Sequence, residues 1–72
     1  MKNDSRLTAS EVRLARRRGI FTVASETERG YYVTLLRLKD GQPERLGQSR
    51  ECVRPKTARR YGEQLVRAAL AS

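Results

Sequence analysis

The sequence predicts an α+β domain with the order α-β-β-β-α: a short N-terminal helix, a three-stranded antiparallel sheet and a packed C-terminal amphipathic helix. Three observations carry this. Thr8-Ala9-Ser10-Glu11 has the form of a helix-opening capping box. Asp40-Gly41 stands between two strand-like runs, where a two-residue turn needs positive φ at both positions. From Lys56 to about Leu70 the apolar residues recur at helical spacing. The expected organisation is a flexible tail over residues 1–6 and a single small domain over 7–72.

Each element follows from local signals. In the first helix, Leu7 to Gly19, Leu7 and Val12 are placed to form a hydrophobic staple across the Thr8 cap. Gly19 suits the stop. Arg16, Arg17 and Arg18 fall in the last turn, where cations complement the helix dipole. The apolar stripe is thin (Ala9, Val12, Ala15) and Leu14 lies off it, which leaves open whether this helix is short, loosely docked or ordered by a partner.

Ile20 to Ser25 is β-branched and aromatic, and reads as a strand. A polar connection ending at Gly30 leads to Tyr31–Lys39, the strongest strand signal in the chain. Gln42 to Ser49 returns, and Pro43 marks it as an edge. With Asp40-Gly41 as the turn, Lys39 pairs with Gln42, Arg37 faces Glu44 and Leu35 faces Leu46, giving one charge pair and one apolar pair. One face then carries Tyr31, Val33, Leu35 and Leu46, and the other Tyr32, Thr34, Leu36, Leu38 and Arg45. Both hold apolar groups, so the pattern does not say which is covered. In the last helix Pro55 suits the first turn. Ala58, Gly62, Leu65 and Ala69 share a face flanked by Tyr61 and Val66, with Tyr61 the best core candidate among the tyrosines. Gly62 weakens a helix by about 1 kcal/mol relative to alanine, and close packing on a sheet is a reason to keep it.

The 72 residues suffice for one modest core. Hydrophobic residues make up 38% and charged residues 33%, a polar balance that still permits folding. The formal net charge is +8, from 16 Lys+Arg against 8 Asp+Glu. Only Lys2, Lys39 and Lys56 are lysines; the other basic residues are arginine. Guanidinium stays charged and donates paired hydrogen bonds to a phosphate or a guanine edge, so this bias points to a polyanionic partner.

Histidine is absent and Cys52 is the single cysteine. Neither a zinc set nor an internal disulfide can be assembled from these residues, and Cys52 has no histidine to activate it. It reads as a small structural residue. No nucleophile–base arrangement, phosphate-cradling glycine loop or apolar carboxylate pair is present; Glu26 and Glu28 read as solvated or paired with Arg29. The expectation is a non-enzymatic protein without metal, cofactor or small-molecule substrate. No apolar run approaches the roughly 20 residues that span a bilayer, and residues 1–5 lack a signal-peptide core. A cytoplasmic protein without membrane association is expected, nucleoid-associated if it binds DNA.

The basic residues form clusters. The first is Arg13, Arg16, Arg17 and Arg18, and the second Arg50, Arg54, Lys56, Arg59 and Arg60. A thinner one, Arg37, Lys39 and Arg45, lies on the hairpin. A strand ribbon fits a DNA major groove, so Arg37 or Arg45, with Tyr32 or Thr34 beside them, are candidates for base contact. Arg54, Lys56, Arg59 and Arg60 at a helix start, and Arg16, Arg17 and Arg18 at a helix end, are candidates for phosphate. Each has a plainer reading: Arg37 as the partner of Glu44, and Arg16 to Arg18 as C-terminal dipole partners. Tyr31, Tyr32 and Tyr61 have faces on which single-stranded bases stack.

The run GYYVTLLRLKDGQPERLGQS followed by KTARRYGEQLVRAAL resembles the three-stranded-sheet-plus-helix DNA-binding domains of tyrosine integrases and the related AP2-type domains. The resemblance covers about 50 residues as pattern and implies a sheet inserted in the major groove, with Tyr32, Thr34, Arg37 and Arg45 in contact. The additional N-terminal helix departs from it. With that helix included, the element order is similar to that of double-stranded-RNA-binding domains, and KTARRYGEQLVRAAL is similar to their final helix. Ser49 to Lys56 replaces the glycine-rich, lysine-paired run expected there. The function expected is therefore nucleic-acid binding, DNA before RNA, as a small regulatory or accessory factor of the kind phages and plasmids carry. The alternative is an adaptor or inhibitor that docks on an acidic protein partner.

Overall fold

The computed structural model describes residues 6–72. The tail expected at 1–6 lies outside the described residues except for Arg6, whose carbonyl accepts a hydrogen bond from Arg67 Nη2 at 2.9 Å. The elements are α1 (Ala9–Arg17), β1 (Ile20–Glu26), β2 (Tyr31–Lys39), β3 (Gln42–Gln48) and α2 (Pro55–Ala71), the expected α-β-β-β-α order.

α1 opens on the capping box: the Thr8 hydroxyl accepts from the Glu11 amide at 3.1 Å, and Glu11 Oε1 accepts from the Thr8 amide at 2.8 Å. It closes before Gly19, with the Arg18 and Gly19 amides donating to Leu14 and Arg16. The strands form one antiparallel sheet in the order β1-β2-β3. Between β2 and β3, Asp40 (φ 54°) and Gly41 (φ 77°) make the expected turn. Between β1 and β2, the Thr27 hydroxyl accepts from the amides of Arg29 and Gly30, which turns the chain.

The Lys39–Gln42 and Arg37–Glu44 pairs form as expected. The Leu35–Leu46 pair does not. A β-bulge leaves Leu36 opposite Arg45 and Leu35 opposite Gly47, with Leu46 as the extra residue. The bulge sets Leu46, still 40% exposed, at the rim of a depression lined by Ile20, Leu35 and Leu65, a position that hairpin counting does not give. Beyond β3 the chain still follows β2. The Ser49 amide donates to Val33 and the Ser49 hydroxyl accepts from Val33. Cys52 and Tyr31 then exchange two 2.8 Å backbone hydrogen bonds. Cys52 thus sits in a structural connection, its sulfur facing the Tyr31 carbonyl at 3.6 Å.

α2 lies across β1 and β2. Ala58, Gly62 and Val66 are its buried residues. A β-carbon on Gly62 would stand 3.3 Å from Val33 Cγ1 and 3.6 Å from Thr22 Oγ1, so the missing side chain is what lets helix and sheet approach. This decides the faces: Ile20, Val33 and Leu35 are covered, the last two only 3% and 5% exposed. Around Ala15, Ile20, Leu35 and Val66 pack Leu7, Leu65, Ala69 and Leu70. Tyr61 lies at the margin, half-buried, with the Arg50 guanidinium 5.9 Å from its ring centre. The slab is 16 Å thin along its short axis, two layers with one sheet face open. No helix among the described residues is long and apolar enough to cross a membrane.

The thin apolar stripe of α1 is supplemented by charge. Arg67 on α2 grips the Glu11 carboxylate with both Nε (3.0 Å) and Nη2 (3.1 Å). This lowers the Glu11 carboxyl from its ordinary 4.5 to about 2, first through the Arg67 hydrogen bond and then through the Thr8 amide. A carboxyl held low when folded adds stability fully present above pH 4.5 and lost as pH falls toward 2. Glu11→Gln is expected to lower stability at neutral pH and to flatten the acid limb of a circular-dichroism pH titration over that window. An unchanged limb would show that the clamp adds nothing.

Candidate nucleic-acid interface

Side chains alternate along a strand, so the face opposite Val33 and Leu35 follows from the register. It carries Phe21, Val23 and Ser25 from β1, Tyr32, Thr34, Leu36 and Leu38 from β2, and Pro43, Arg45 and Gln48 from β3. The rows are Ser25–Tyr32, Val23–Thr34–Gln48, Phe21–Leu36–Arg45 and Leu38–Pro43. One end is polar and the other apolar, with Arg45 between. No residue in these rows is acidic. Arg45 is exposed, and its Nη1 donates to Gln48 Oε1 at 3.3 Å, a contact that leaves most of its donors to solvent.

The structure sets Tyr32, Thr34 and Arg45 on one sheet face, in successive rows, and separates Arg37 from them. Arg37 shares the parity of Val33 and Leu35 and therefore lies on the helix side. There its Nη2 meets Glu44 Oε1 at 2.9 Å. That hydrogen bond, with the charge behind it, lowers the Glu44 carboxyl below its ordinary range. Arg37 is thus engaged in the hairpin and is not placed to work beside Tyr32 or Thr34.

The two main clusters sit at opposite ends of the sheet. Arg16, Arg17 and Arg18 end α1 beside Ile20, and Arg18 Nη1 donates to the Leu70 carbonyl at 3.3 Å. Arg54 is the N-cap of α2, and Lys56, Arg59 and Arg60 are exposed on its first turns. Arg59 and Pro55 share a groove with Ala24 and Tyr31, which puts this cluster at the Ser25–Tyr32 end of the sheet, on the side that carries α2. The first turn of α2 has no acidic residue, and Arg54 makes no side-chain cap. Cations therefore crowd the helix end whose dipole is already positive, an unfavourable arrangement that an anion relieves.

Ser25, Gln48 and Phe21 share the open face but escape a reading of the β2–β3 hairpin alone. The signal for the first and third was the alternation of β1, once its register against β2 is known. Among the described residues no three His, Cys, Asp or Glu side chains are grouped to hold a metal ion. No family model matches the chain, and comparison with curated proteins and with solved structures returns no significant match.

Proposed function

We propose that the chain binds nucleic acid, duplex DNA first, through the polar half of its open sheet face. The observation that carries this reading is the acid-free face itself, with Arg45, Tyr32 and Thr34 on it and the basic start of α2 at its end. Tyr32, Thr34 and Arg45 lie on β2 and β3, and two strands about 4.8 Å apart make a ribbon that the roughly 12 Å major groove admits. Arg45 then reads a guanine edge, Thr34 and Tyr32 adjust the fit, and Arg54, Lys56, Arg59 and Arg60 hold phosphate. No catalytic role is assigned to any residue.

Fluorescence anisotropy on labelled duplex DNA, single-stranded DNA and duplex RNA, across a salt series, tests it. Affinity is expected to fall linearly on a log–log salt plot, by about 0.9 in slope per phosphate neutralised. Arg59→Ala with Arg60→Ala should weaken all sequences alike. On duplexes enriched from a random pool, Arg45→Ala should remove about 1–3 kcal/mol of discrimination at one position. Arg37→Ala should leave discrimination unchanged. Absence of binding to every probe at low salt overturns the reading.

One observation favours a second reading. Phe21 and Leu38, at the apolar end of the same face, are 39% and 51% exposed, which suits an adaptor that docks on a partner protein. A stoichiometric protein recovered from a nuclease-treated pulldown, with no nucleic-acid affinity, would establish that alternative.

A further inference from the structure

We propose that β1 is the seam of a homodimer, pairing antiparallel with β1 of a second copy so that two three-stranded sheets become one of six strands. This does not depend on the nucleic-acid reading. The first observation is an asymmetry between the two sheet edges. β3 is protected by Pro43, by the bulge at Leu46 and by the charges of Glu44 and Arg45. β1, Ile-Phe-Thr-Val-Ala-Ser-Glu, has no proline, no bulge in its pairing with β2 and no charge before its last residue. Such an edge is a template for another strand.

The second observation is exposure. Phe21, Thr22, Val23 and Ala24 are all exposed, although they alternate between the two faces of the sheet. Val23 alone is 44% exposed. α1 and α2 both touch this strand, burying Ile20, but leave Phe21 to Ala24 exposed.

The third observation selects the occupant. Arg16, Arg17 and Arg18 precede β1, and Glu26 and Glu28 close and follow it. Arg16, Arg17, Glu26 and Glu28 have no ion-pair partner among the described residues. An antiparallel second copy centred on Val23 sets Glu28 opposite Arg18 of that copy; centred on Thr22, it sets Glu26 there. Either register brings the acidic end of each strand to the basic end of the other, twice by symmetry. In a parallel pair like charges would meet. In a chain of net charge +8, this is a stretch whose charges nearly balance.

The test uses the full, nuclease-treated chain at low salt. Sedimentation should show the 8.2 kDa mass doubling as concentration rises. Amides of Phe21 to Ser25 should gain hydrogen-exchange protection with it, while those of β3 do not. Glu26→Arg with Glu28→Arg, and separately Arg17→Glu with Arg18→Glu, should each weaken self-association about tenfold or more, and mixing the two variants should restore it as a heterodimer. Val23→Lys, at an exposed position, should stay folded by circular dichroism and also yield monomer. A monomeric wild-type chain, variants that associate as well as wild type, a mixture that does not recover, or protection confined to another surface each overturns the proposal.

Discussion

Gly30→Ala is expected to destabilise the domain by about 3 kcal/mol or more, lowering the thermal midpoint by roughly 12–24 °C. Gly30 adopts φ +151°, a conformation side chains rarely take. A β-carbon there would also overlap the Cys52 carbonyl oxygen and lie 3.0 Å from its carbon and 3.1 Å from Val53 Cα. All are backbone atoms, so no rotamer change relieves the overlap. The oxygen concerned is the one that accepts from the Tyr31 amide. Relief therefore means breaking the Tyr31–Cys52 bridge that fixes the approach to α2. Gly41→Ala is the control: φ is +77°, but nothing lies within 4 Å, so the cost is conformational alone, about 1–2 kcal/mol. Denaturant unfolding of both variants measures the difference. Equal losses would mean that the close approach at Cys52 carries no weight.

Leu35→Ala is expected to cost about 2–5 kcal/mol, and Leu36→Ala about 1 kcal/mol. A domain of this length has roughly 4–10 kcal/mol in total, so the first change brings it near unfolding and the second leaves it folded. The neighbours differ only in face. Leu35 packs with Ala15, Ile20 and Val66, while Leu36 stands on the open side between Phe21 and Arg45. Calorimetry or urea titration separates them. A reversed order would mean that α2 covers the other face, and it would remove Tyr32, Thr34 and Arg45 from solvent.

These two substitutions mark the boundary of what the residues say by themselves. The capping box at Thr8 and Glu11, the Asp40-Gly41 turn and the phase of α2 were legible because each is decided within a few neighbouring positions. The identity of the covered face was not. It is decided where Gly62 meets Val33 and Thr22, residues distant in the chain. The bulge at Leu46 has no signal inside the hairpin either, since the depression it borders is built with Ile20 and Leu65, distant in the chain. The site was half legible. Its clusters follow from counting arginines, and Tyr32, Thr34 and Arg45 from alternation along one hairpin. Charge alone groups Arg37 with them, whereas its parity with Leu35 places it across the sheet. The Glu11–Arg67 grip had no local signal, because its partners are 56 positions apart.

That grip makes the amino end of the chain a reporter of the carboxyl end. A nine-residue helix does not hold itself together in water. The carboxylate that closes the first turn of α1 is the same one that Arg67 holds, so helix formation and docking become a single event. Fraying of α2 back to Arg67 frees Glu11, and the first helix melts with it. The least stable cooperative unit of this fold therefore joins residues from both ends of the sequence. A protease that finds the last turns of α2 open therefore finds α1 open as well.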